Sequence, residues 1–96
     1  MFLKGKSLVR KHIRFYGEVQ AVGFRYQAQT AARHYGATGW VRNEYDGSVT
    51  MEIQGTEQQI NDVVAEIDSD RYIRIERMET KRIDPVLDER GFRVRY

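Results

Sequence analysis

Cysteine is absent from this chain, which removes both a disulfide framework and a thiolate nucleophile. Histidine is scarce: His12 and His34 are the only two, they lie far apart, and with no cysteine to join them they make a poor zinc site. A zinc site is therefore not expected. No apolar run approaches the roughly 20 residues of a membrane-spanning helix. The opening Met1-Phe2-Leu3-Lys4-Gly5-Lys6 also lacks the apolar stretch of a signal peptide. A cytoplasmic protein without a membrane partner is expected. An excess of one charge is lacking too, since 16 basic and 14 acidic residues leave a net +2. That balance argues against nucleic acid, which calls for a concentrated basic face. Basic residues are densest at Lys4, Lys6, Arg10 and Lys11, a run that reads as a solvated tail.

What is present is enough for one small folded domain. The chain has 96 residues, 41% of them hydrophobic and 31% charged, the composition of an ordinary soluble globular protein near the lower size limit for a self-sufficient core. Residues 1–7 read as an N-terminal extension and 8–96 as the domain. From Leu8 to Tyr16, Val9, Ile13 and Phe15 share one parity, with Lys11 the exception, while Arg10, His12, Arg14 and Tyr16 take the other face. This is a strand with one buried side. From Phe24 the period turns helical through Ala28, Ala31, Ala32 and Tyr35, and Gly36 stops it. Extended segments at 38–43 and 48–54 flank Asp46-Gly47, a hairpin signal. Thr56 and Gln59 then form a capping box ahead of a second apolar helical stripe, Ile60, Val63, Val64 and Ile67, closed by Ser69-Asp70. The stretch 72–83 reads as a charged edge strand. A connection holding Pro85 follows, and Phe92, Val94 and Tyr96 alternate as a last strand. The order predicts an α+β, ferredoxin-like split βαβ sandwich. Its sheet is mixed and largely antiparallel, with two helices on one face and an additional strand.

In that topology the first two strands run parallel with the third between them, so their C-terminal ends share one edge of the sheet. The loop Gly17-Glu18-Val19-Gln20-Ala21-Val22-Gly23-Phe24-Arg25 emerges there, and so does the end of Gly39-Trp40-Val41-Arg42-Asn43. Two strand spacings, roughly 10 Å, separate them. A small-residue loop running into a helix N-terminus presents converging N–H groups, which suit an oxyanion. Arg25 adds a planar fork of donors that matches phosphate. Asn43, neutral and able both to donate and to accept, can hold a water. With no cysteine, and no histidine or serine evident at the site, direct attack by water on a substrate with a good leaving group is the simplest chemistry.

These two segments resemble the signatures of the acylphosphatase family. The first departs from the usual Gly-x-Val-Gln-Gly-Val-x-Phe-Arg only at Ala21. The second, with Gly47, Val49 and Gly55 following at the family spacing, matches throughout. The ending Phe92-Arg93-Val94-Arg95-Tyr96 is also similar, so the resemblance spans about residues 8–96. It implies hydrolysis of the carboxyl–phosphate bond of a small acyl phosphate, without metal, cofactor or phosphoenzyme; a monomer is expected. By motif position Arg25 and the backbone N–H groups of Gln20, Ala21, Val22, Gly23, Phe24 and Arg25 would bind the phosphoryl group, and Asn43 would position the water. Ala21 costs about 1 kcal/mol if its φ is positive and little if negative. Two other functions compete: a phosphate-binding module without turnover, suggested by Ala21, and an RNA-binding domain of the same topology. RNA binding is disfavoured because Thr50, Glu52 and Gln54 offer no aromatic ring for a base. Trp40 is expected in the core, His12 and His34 in solvent, Gln20 as a shaper of the loop, and Tyr26, Arg42 and Tyr45 as candidates for a substrate entrance. Arg93 and Arg95 are expected to cover a strand face.

Overall fold

The computed structural model describes residues 7–96. Seven elements follow in order: β1 (Val9–Glu18), α1 (Phe24–Tyr35), β2 (Thr38–Asn43), β3 (Val49–Gly55), α2 (Glu57–Asp68), β4 (Arg74–Ile83) and β5 (Phe92–Arg95). They form a five-stranded sheet in the order β4-β1-β3-β2-β5. β3 is antiparallel to both β1 and β2, β4 is antiparallel to β1, and β5 runs parallel to β2. This is the expected ferredoxin-like α+β arrangement, with β4 at one edge and β5 the additional strand at the other. Residues 1–3, Lys4, Gly5 and Lys6, most of the anticipated extension, lie outside the described residues.

Period-2 patterning explains the core. Ile13 and Phe15 of β1, Val41 of β2 and Val49, Met51 and Ile53 of β3 are all buried, and α1 and α2 cover them with Phe24, Ala28, Ala31, Ala32, Ile60, Val63 and Ile67. Alanines along α1 let that helix approach the sheet closely. Phe15 and Phe24 meet as tilted rings 4.9 Å apart, so the first strand and the first helix lock together next to the loop that joins them. The capping box on α2 is formed, with Gln59 N–H bonded to Thr56 Oγ1 and Thr56 N–H to Gln59 Oε1.

Gly39 sets the distance between β2 and β3. Its φ is +143°, and a Cβ there would lie 1.9 Å from the Glu52 carbonyl oxygen.

Three expectations for residues of the sheet need correction. Arg10 is not part of a solvated tail. It lies within β1, 2% exposed, and donates to both carboxylate oxygens of Glu89, to Glu52 and to Gln54 Oε1. Burial disfavours its charge, but these bonds and the two carboxylates outweigh that and raise its pKa. Lys11 likewise belongs to the strand and pairs with Glu57 at the start of α2, which explains a lysine at an inward parity. Trp40 is buried, but on the open face rather than in the helix-side core. The Arg42 and Arg95 guanidinium carbons stand 5.2 and 4.6 Å from its ring centroid, and His12 meets it edge-on. His12 is also not simply solvated, since its Nδ1 lies 2.8 Å from Glu52 Oε2.

Because β4 and β5 occupy opposite edges, the connection 84–91 must cross the sheet. Gln54 anchors it by exchanging two hydrogen bonds with the Val86 backbone, and Glu89 by bonding to Arg10 and the Thr38 hydroxyl. That crossing returns the chain to β2, where β5 contributes to the site described next.

Candidate active site

The end of β1 turns into α1 through two left-handed residues. Ala21 has φ +60° and Gly23, the N-cap of α1, φ +83° and ψ +17°. Alternation of left-handed with ordinary residues turns successive N–H groups toward a common centre. Gly23 supplies no side-chain cap, and the first turn of α1 contains no acid. The first-turn N–H groups of an α-helix have no intrahelical acceptor, and the positive end of the helix dipole faces the same way.

The open question at Ala21 is thereby answered: its φ is positive. An L-residue there is strained by about 1 kcal/mol or more relative to glycine, while glycine gives back part of that through a freer unfolded chain. Ala21→Gly is therefore expected to raise stability by about 0.5–1 kcal/mol, read as a higher urea midpoint at unchanged m-value. No increase would mean that the loop relaxes around the methyl group.

Gln20 holds the loop in place from its own side. Its Nε2 donates to the Glu44 carbonyl at 2.7 Å and to the Ser48 carbonyl at 2.8 Å, pinning the loop to the β2–β3 turn, as the shaping role anticipated. That turn is itself braced: Asp46 accepts from both the Ser48 N–H and its hydroxyl, and Arg14 bonds to Ser48 and Asp46. Glu44 lies below the usual carboxylate range, chiefly through a bond from Thr50, with Arg42 adding to it and burial opposing.

The loop and the end of β2 open on one cavity of about 360 Å³, whose lining includes Ala21, Gly23, Arg25, Tyr26, Gln29, Asn43 and Tyr96. Arg25 from α1 and Asn43 from β2 are thus brought to one place, as the sheet topology required. Gln20 and Val22 do not line it; Val22 packs against the core instead. A second cavity adjoins it, sharing Asn43 and Tyr96 and bounded by Arg42, Glu44 and Tyr45. Of the three entrance candidates, Tyr26 therefore borders the first cavity, and Arg42 and Tyr45 the second.

Tyr96 is one residue the sequence reading missed. Its ring lies 4.9 Å from the Arg25 guanidinium carbon, a cation–π contact that holds one face of the guanidinium and leaves its N–H edge free. Only the pairing of β2 with β5, which the sequence does not show, reveals it. Gly39 pairs with Phe92 and Val41 with Val94, so the next step of the same register sets Tyr96 beside Asn43. Gln29 was missed as well; it borders the cavity and donates to the Phe92 carbonyl, tying α1 to β5. Elsewhere the sheet edges contribute nothing to this site. Among the described residues no helix is long and apolar enough to cross a membrane.

Comparison with known proteins agrees with the geometry. The acylphosphatase family model matches residues 11–94. An acylphosphatase from Clostridium acetobutylicum is 40% identical over 85 residues, covering 88% of this chain and 93% of that one. The crystal structure of acylphosphatase from Bacillus subtilis superposes with a TM-score of 0.84 at 26% identity, over 92% of this chain and 99% of the other. An acylphosphatase from Coxiella burnetii gives the same TM-score at 28% identity, covering 99% of this chain and all of its own. This chain belongs to the acylphosphatase family.

Proposed function

We propose that the cavity beside Asn43 binds the phosphoryl group of an acyl phosphate and that a water held by Asn43 attacks its phosphorus. The observation that carries this reading is the meeting of Arg25, Asn43 and the left-handed loop residues Ala21 and Gly23 around one cavity. The loop and first-turn N–H groups of α1 take the phosphoryl oxygens, and the free edge of the Arg25 guanidinium takes two of them. Tyr96 keeps that edge turned inward.

Asn43 accepts a hydrogen bond from the water and directs its lone pair at phosphorus. As the new P–O bond forms, the bond from phosphorus to the acyl oxygen breaks. The electron pair leaves on the carboxylate, an excellent leaving group, and the water's proton passes to a phosphoryl oxygen. Charge spreads over the equatorial oxygens in such a transition state, where the donors of Arg25 and the loop are concentrated. Positioning and electrostatic stabilisation then supply most of the rate enhancement.

A folded sample should hydrolyse benzoyl phosphate with saturation kinetics, and inorganic phosphate should inhibit by competing with substrate. Turnover that phosphate leaves untouched, or no turnover at all, would overturn the reading.

A further inference from the structure

The open face of the sheet holds a second concentration of positive charge, separate from the catalytic cavity. Cross-strand register sets Arg93 beside Trp40 and Arg95 directly beside Arg42. Like charges placed opposite each other on neighbouring strands repel. Arg42 is compensated by Glu44, 3.1 Å away. Among the described residues, Arg90, Arg93 and Arg95 make no ion pair at all. These three arginines border a cavity of about 340 Å³ between β2, β5 and the crossing connection, with Gly39 and Trp40 also in its lining. Two carboxylates border it as well. Glu89 is committed to Arg10 through both its oxygens and to Thr38, which leaves Asp88 as the one uncommitted anion.

We infer that this cavity is a binding site for a small diphosphate. Three features support that ligand class. Arg93 and Arg95 lie two residues apart on one strand, so their Cα atoms are roughly 6.5 Å apart on the same face, a separation that two linked phosphates can span. Each guanidinium offers a flat fork of donors suited to phosphate oxygens. Trp40 forms part of the floor, and its ring holds the Arg95 guanidinium, 4.6 Å away, in a fixed place.

Trp40 is the only tryptophan and lies against Arg95, so its fluorescence reports on the site. Titration of the full chain with inorganic pyrophosphate at low ionic strength should give a saturable change. The same midpoint should appear in Arg25→Gln, because the catalytic cavity is not involved. Arg93→Gln, which leaves the Arg95 contact with the ring intact, should raise the midpoint at least tenfold. Arg95→Gln, made in the Arg25→Gln background to suppress heat from the catalytic cavity, should do the same by calorimetry, where a changed ring environment does not matter. Arg71→Gln, with its charge in the turn before β4, should leave the midpoint alone. A non-saturating change, loss of the signal in Arg25→Gln, an unaltered midpoint in Arg93→Gln, or equal weakening in Arg71→Gln would each overturn the assignment.

Discussion

Arg25→Gln is expected to lower kcat/KM for benzoyl phosphate by roughly 10³-fold, within the range known for loss of an arginine that stabilises a phosphoryl transition state. Glutamine keeps a hydrogen-bond donor but loses the charge and the paired N–H groups, and its amide gains no comparable attraction from the Tyr96 ring, 4.9 Å from the guanidinium carbon in the wild type. Affinity for inorganic phosphate should fall along with the rate, because the guanidinium binds the product's oxygens as well as the transition state. Asn43→Ala should behave differently. It removes the group that holds the water while leaving the loop N–H groups and Arg25 in place. Its kcat should drop by about 10²–10³, the scale of a single positioned donor in an active site, with phosphate affinity nearly unchanged. Initial-rate kinetics and a phosphate titration on both variants measure this split. Equal losses of phosphate affinity in the two would contradict the separate roles.

Gly39→Ala should be severely destabilising. Two effects add. The backbone at φ +143° is one that L side chains rarely adopt, and the new methyl carbon would sit 1.9 Å from the Glu52 carbonyl oxygen. Neither neighbour can yield, because that oxygen belongs to the backbone of the central strand β3. Relief requires β2 to separate from β3, which would also displace Asn43 at the end of β2. The loss should exceed about 4 kcal/mol, the range reserved for a named structural fault, against the 5–15 kcal/mol that holds a typical domain together. Urea unfolding followed by circular dichroism tests it. A midpoint close to wild type would show that the strands can part without cost.

The comparison of Gly39 with Ala21 shows what the sequence could and could not convey. Period-2 and helical patterning, the capping box and the Asp46-Gly47 turn were sufficient for the element order and for the meeting of Arg25 with Asn43. Each of those signals is local, and the parallel placement of β1 and β2 follows from topology. The sign of φ at Ala21 was not legible, because an alanine can take either conformation and only the loop's closure selects one. The fate of Arg10 was hidden for a different reason. Its partners Glu52, Gln54 and Glu89 lie 42 to 79 residues away, so a basic run near the start looked like a tail. Trp40 is buried, but on the face away from the helices rather than in the expected core. In a strand with large residues on both faces, parity alone does not say which face the helices cover. Tyr96 escaped for want of a register between β2 and β5, two strands brought together by a connection that crosses the whole sheet.

The most direct measurement is hydrolysis of benzoyl phosphate in ¹⁸O-enriched water, with mass spectrometry of both products. Attack by a water on phosphorus puts the label in inorganic phosphate and leaves the benzoate unlabelled, and that is the expected result. Label in the benzoate would mean that water attacks the acyl carbon, and the roles assigned to Arg25, Asn43 and the loop would then be wrong.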